Sequence, residues 1–176
     1  AFGAMVTPGR ELAPKYRERG MRLEKDVEPS TFWISINMDD PLLGKNKKLR
    51  QALSACYDRQ TYSDIFYNSV APVAEQLIPP GIPGHSREWK NPYGFDLEKA
   101  KRLIAEAGYP GGIDPQTGRP LELTMEMVSV GSEDRQRAEF EQRCFARIGL
   151  KVRISENTFA RLLQREDSGD FQMTSG

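Results

Sequence analysis

The sequence predicts an α/β domain, and three observations lead there. The second half alternates strand-like and helix-like stretches, a pattern that favours parallel strands joined by crossover helices. Hydrophobic residues make up only 38% of the chain, yet they fall in periodic clusters, as a folded core requires. A length of 176 residues is enough for one domain with a real core.

The N-terminal stretch is the least informative. Gly9 to Arg19 is charged, with Leu12 and Tyr16 a helical turn apart, and reads as a short surface helix ending at Gly20. Met21, Leu23 and Val27 suggest a weak strand. After Pro29-Ser30, the residues Phe32, Ile34, Ile36 and Met38 alternate with Ser35 and Asn37 in a better strand, whose second face is partly apolar through Trp33. Asp39-Asp40-Pro41 ends it. Asn46 to Tyr57 reads as helix, with Leu49, Ala52, Leu53 and Cys56 on one face. Asp58 suits the cap of a second helix that buries Tyr62, Ile65 and Phe66.

A stiff crossing follows. Pro79, Pro80 and Pro83 fix φ and remove donors, and Gly81 and Gly84 permit left-handed turns, so Ile78 to Gly84 is neither helix nor central strand. The next helix has both ends written in. Asp96 suits its N-cap, Glu98 its first turn and Gly108 the position past its end. Leu97, Ala100, Leu103, Ile104 and Ala107 form its apolar stripe. Tyr109 to Pro120, rich in glycine and proline, reads as loop.

Leu121, Leu123, Met125 and Met127 alternate with Glu122, Thr124 and Glu126 in a half-buried strand. Ser132 suits the cap of a longer helix, with Glu133 and Asp134 at its start and Arg143 and Arg147 near its end. Its core stripe is Phe140, Cys144 and Ile148, supported by Phe145, and Gly149 stops it. Val152 and Ile154 mark a strand, Thr158 to Glu166 a helix with Phe159, Leu162 and Leu163, and Phe171 onward a last strand.

The charges cancel, 25 basic against 25 acidic, so no basic field points to nucleic acid. The aromatic residues Phe32, Trp33, Tyr57, Tyr62, Phe66 and Tyr67 read as packing rather than base-stacking groups. No apolar run is long enough to span a bilayer. Cys56 and Cys144 each fall on an apolar helix stripe and read as buried free thiols. With those two cysteines and the single His85, no metal-binding spacing exists, and no cofactor is expected. His85 reads as a solvated loop residue, Asp39-Asp40 as a turn, and Glu133-Asp134 as a helix-dipole feature. Val130-Gly131-Ser132 lacks the lysine and further glycines of a phosphate loop. The chain opens without an initiator Met and closes on what reads as an unfinished strand, as expected of a segment from a longer protein.

Several blocks in order carry a resemblance. Asn37 closes an apolar strand and is followed by Leu49-Arg50-Gln51-Ala52-Leu53-Ser54, then Asp58-Arg59 and Ile78-Pro79-Pro80-Gly81. The Asp96 to Pro110 helix, Ile148-Gly149-Leu150-Lys151-Val152 and Gly169-Asp170-Phe171 complete the series. It resembles the C-terminal lobe of family 5 extracellular solute-binding proteins, the oligopeptide-, dipeptide- and nickel-binding subunits of ABC importers. The resemblance implies a mixed sheet flanked by helices, one lobe of a two-lobed type II periplasmic-binding-protein fold, spanning residues 30–176. Residues 1–29 would join it to the rest of the parent protein. It implies a periplasmic or cell-surface protein that captures an oligopeptide or other small solute without covalent chemistry. Its partners would be the ABC permease subunits and the N-terminal lobe of the same protein.

The resemblance also implies site residues. The loop carrying Ser129, Val130 and Ser132 matches a cleft-facing loop in the family. Where dipeptide-binding members can carry a basic residue, this loop has none, which argues against a short peptide held by its carboxylate. Phe159 matches a cleft position that is often aromatic. Ser175 matches the start of a segment that continues, in the family, to an aspartate that binds a peptide amine. Two other readings stand beside this one: a small hydrolase-type domain using Asp39, Asp40 or His85, and a protein-interaction module.

Overall fold

The computed structural model describes residues 14–22, 29–128 and 131–175. In chain order the elements are α1 (Pro14–Arg17), β1 (Ile34–Ile36), α2 (Lys47–Cys56), α3 (Arg59–Phe66) and α4 (Leu97–Glu106). They continue with β2 (Glu122–Val128), α5 (Ser132–Ala146), β3 (Lys151–Asn157), α6 (Phe159–Ser168) and β4 (Met173–Ser175). The chain divides into two compact units, Ala1–Thr31 with Arg59–Lys90, and Phe32–Asp58 with Asn91–Gly176.

The second unit holds the sheet, in the order β1-β4-β2-β3. β2 runs parallel to both β3 and β4, and β1 runs antiparallel to β4, so the sheet is mixed. The chain leaves β2 for β3 on one side, then crosses back over β2 to reach β4 on the other. Two right-handed crossovers in opposite directions place their helices on opposite faces. The side chains agree. Leu123 and Met125 join Phe145 of α5 in the core, whereas Glu126 meets Arg165 of α6.

The α5 face carries the main core. α2 contributes Leu49, Ala52, Leu53 and Cys56, and α4 contributes Ala100, Leu103 and Ile104. Fully burying a leucine, isoleucine or phenylalanine contributes about 2 kcal/mol, so this face is the chief source of stability. Asp96 caps α4 as the sequence suggests, and Asn46, read there as the first helical residue, caps α2. The Asn46 side chain accepts from the Leu49 N–H, and that of Asp96 from the Lys99 N–H. Gly108 follows α4 at φ 97°. Gly149 permits a close approach: a Cβ there would lie 1.9 Å from the Gly111 carbonyl oxygen, so no larger residue fits beside that backbone. Cys56 and Cys144 are buried free thiols.

Several expectations are corrected. The Tyr109–Pro120 loop contains a 3-10 turn at Pro110–Gly112. α5 begins one residue early: its N-cap is Gly131, whose N–H donates to Asp134 Oδ2 at 3.1 Å, and Ser132 is the first helical residue. Pairing at β1 extends over three residues only, so Phe32 and Met38 fall outside the strand and are exposed. In α6, Leu162 is buried while Phe159 and Leu163 are exposed, because the helix meets the sheet along a narrow line. Glu126 was expected on the open face of a half-buried strand. It is buried, since β2 is a central strand covered on both faces.

In the first unit, the Ile78–Gly84 crossing contains neither helix nor strand, and Gly81 and Gly84 both take positive φ. α3 departs from the expectation. Tyr62 lies 4.8 Å from Phe66 and 6.1 Å from Tyr67, ring centre to ring centre. The rings shield one another and remain half-buried, while Ile65 is exposed. Much of the expected N-terminal strand, residues 23–28, lies outside the described residues.

Candidate functional site at the sheet edge

The strand register defines one edge. Val128 pairs with Asn157, Met127 with Ser175, and Ser175 with Ile34. The C-terminal ends of β2, β3 and β4 therefore lie together, beside the N-terminal end of β1. In open α/β sheets, ligands bind outside the carboxyl ends of the strands, where the chain order switches direction. β2 is such a point: the chain leaves it for β3 on one side and then returns past it to β4 on the other.

Three of the candidate residues from the sequence, Ser132, Phe159 and Ser175, map onto this edge. Ser132 opens α5 and is exposed, and Phe159 opens α6 at 64% exposure. Ser175 ends β4. Ser129 and Val130 lie outside the described residues, between Val128 at the end of β2 and Gly131 at the cap of α5. The structure adds Phe32 and Trp33, which the sequence reading had assigned to packing. They precede β1 at this edge and are 68% and 56% exposed. The Trp33 Nε1–H donates to Ser35 Oγ at 2.9 Å, which leaves the ring face open. Exposed rings and small hydroxyls suit contact with apolar side chains and backbone amides.

Ser175 is already engaged. Its hydroxyl donates to Glu141 Oε1 at 3.0 Å, and the Tyr57 hydroxyl reaches the same oxygen at 3.3 Å. Glu141 is buried on α5, and its Oε2 finds no hydrogen-bond partner among the described residues. Burial pushes its carboxyl up to about 7, against the two hydroxyl bonds and the more distant charge of Arg137, which pull the other way. Burial likewise pushes the neighbouring Cys144 thiol up. Periodicity alone could have placed Glu141 in the core, because it adjoins Phe140 and precedes Cys144 by three residues.

A second buried carboxylate lies across the sheet. Glu126 Oε2 accepts from Asn157 Nδ2 at 2.7 Å, and Oε1 lies 3.3 Å from Arg165 Nη2. Strand alternation pointed Glu126 away from the Leu123 and Met125 face, as found; it gave no sign that α6 would cover it. The turn after β1 is held by its own side chains and by the segment before β4. Asn37 Oδ1 accepts from the Asp39 N–H, and Asp40 Oδ1 from the N–H groups of Leu42 and Leu43. Asp40 Oδ2 accepts from Gln172 Nε2, so this aspartate works as a turn anchor. In the first unit, His85 Nδ1 lies 2.8 Å from the Ile78 carbonyl oxygen. Among the described residues no cluster of three or more histidine, cysteine or acidic side chains is placed to hold a metal.

Residues 5–176 match the family of bacterial extracellular solute-binding proteins, family 5 Middle. The chain belongs to this family. It is 29% identical over 131 residues to Heme-binding protein A of Haemophilus influenzae, covering 74% of this chain and 23% of that protein. It is 29% identical over 139 residues to Glutathione-binding protein GsiB of Salmonella choleraesuis, covering 78% of this chain and 25% of the relative. The periplasmic binding protein DppA of Helicobacter pylori, solved with the peptide STSA, superposes with a TM-score of 0.70 at 28% identity. That match covers 86% of this chain and 28% of DppA. The fold is thus that of the periplasmic binding proteins. The chain spans about a quarter of the length of the curated relatives it matches.

Proposed function

We propose that this family 5 chain contributes a lobe to the solute-capturing component of an ABC importer, outside the cytoplasmic membrane. Residues 30–176 would form the lobe and residues 1–29 the connection to the rest of the protein. The family match over residues 5–176 carries this reading. The sheet edge supports it: exposed Phe32, Trp33 and Phe159 stand with Ser132 where ligands of α/β sheets bind. The solute we favour is an oligopeptide, because aromatic faces accept varied side chains while small hydroxyls bind backbone amides. The protein would release it unaltered to the permease, by a hinge motion between lobes.

Calorimetry on the full-length parent protein tests this with a panel of tetrapeptides, heme and glutathione. The expected result is one-to-one peptide binding at micromolar Kd or tighter, with the peptide recovered intact by mass spectrometry. Binding of heme or glutathione without peptide would overturn the peptide assignment. Peptide cleavage would overturn the non-catalytic role. The 176 residues alone are expected to bind more weakly than the parent.

A further inference from the structure

The oxygens of Glu126 are divided between two points of one connection. Oε2 accepts from Asn157, the last residue of β3, and Oε1 pairs with Arg165, in the second turn of α6. Thr158 and Phe159 lie between those anchors. Each anchor is itself held. Asn157 Nδ2 also donates to the Ser155 carbonyl at 2.9 Å. Arg165 Nε donates to the Asp170 carbonyl at 3.0 Å, and its Nη2 lies 3.3 Å from Asp170 Oδ2. The Thr158 side chain then caps α6 through the Arg161 N–H.

We infer that Glu126 is a positioning residue for solute binding: its buried carboxylate ties Asn157 to Arg165 and so sets where Thr158 and Phe159 stand at the sheet edge. This rests on the reading of Phe159 as lining the solute site. Glu126 is 1% exposed, so it acts through these residues and not by touching solute. A carboxyl group so deep needs polar partners, and Asn157 and Arg165 supply one for each oxygen. The Asn157 bond is the tighter of the two at 2.7 Å, and the Arg165 ion pair at 3.3 Å extends the tie into α6. α6 has only Leu162 buried, so apolar packing alone holds its first turn weakly.

The test uses the full-length parent protein, a tetrapeptide of serine, threonine and alanine, and the variants Glu126→Gln, Phe159→Ala and both together. Each single change is expected to weaken binding about tenfold, and the double no more than either, as for two residues acting through one contact. Unchanged affinity in Glu126→Gln, or a hundredfold loss in the double, would overturn the inference. Hydrogen exchange gives a second readout that needs no ligand. Glu126→Gln should speed exchange of amides 161–163 about tenfold and leave those of α4 unchanged; a uniform change or none would overturn it. Should the wild-type protein bind no peptide, the functional reading fails while exchange still decides whether the tie exists. Asn157→Ala removes the same tie and serves if Glu126→Gln does not fold.

Discussion

Glu126 and Glu141 lie on opposite faces of one sheet, and each is at most 2% exposed. Glu126 meets an amide and a guanidinium, one for each oxygen. Glu141 meets two hydroxyls on one oxygen, and its other oxygen finds no partner among the described residues. Burial depth is therefore the same and solvation by protein is not. A buried carboxyl group facing a cation and an amide is tied at both oxygens and organises structure. One facing only hydroxyls is pushed towards holding a proton near neutrality.

The largest effect should come from breaking the paired site. Arg165→Met leaves the Glu126 charge uncompensated and should cost about 4 kcal/mol. Glu126→Leu with Arg165→Met should cost less than Arg165→Met alone. Urea denaturation of the parent protein checks both, and equal losses would mean that the pair is not coupled.

Next is the pH dependence of the unpaired site. The Glu141 carboxyl is raised from 4.5 to about 7 in the folded protein, so the folded state binds the proton better between those values. Its contribution to stability is full below 4.5, declines as pH rises towards 7, and is gone above. Integrated, this is about 3 kcal/mol. Glu141→Gln should remove that part of the slope between pH 5 and pH 8, as read by denaturation midpoints. A wild-type slope retained in the variant would assign it elsewhere.

A smaller change sharpens the comparison. Ser175→Ala deletes a hydroxyl that favours the charged form of Glu141. It should raise the carboxyl titration further, seen by NMR, and lower stability at pH 8 by about 1 kcal/mol. The smallest effect belongs to a solvated carboxylate. Lys151 lies 2.7 Å from Glu122 and holds its carboxyl below the usual range, yet both side chains face water. Lys151→Ala should leave the melting temperature unchanged in physiological salt, as exposed pairs contribute little.

Local chemistry was legible in α2, α4 and the crossing. Asn37 is an instructive limit. Its place at the end of a strand was readable, but its amide donates to the carbonyls of Gly169 and Phe171, a link between distant segments that no local pattern encodes. Phe32 and Trp33 show the converse. With no basic field beside them they read as packing, and only the three-residue pairing of β1 with β4 leaves them exposed at the edge. Ser132 was one residue out as a cap: Asp134 reaches back to the Gly131 N–H, which puts the cap at Gly131.

By itself the sequence determined the stripes of α2 and α4, the cap at Asp96, the stiff crossing and the strand–helix alternation of an α/β sheet. These depend on residues a few positions apart, whose spacing is set by helix and strand geometry. Only the tertiary structure decided which faces of β2 are covered, and so that Glu126 and Glu141 are both buried with different company. That outcome depends on where α5 and α6 cross the sheet, and it brings together groups more than thirty positions apart, such as Glu126 with Asn157 and Glu141 with Ser175.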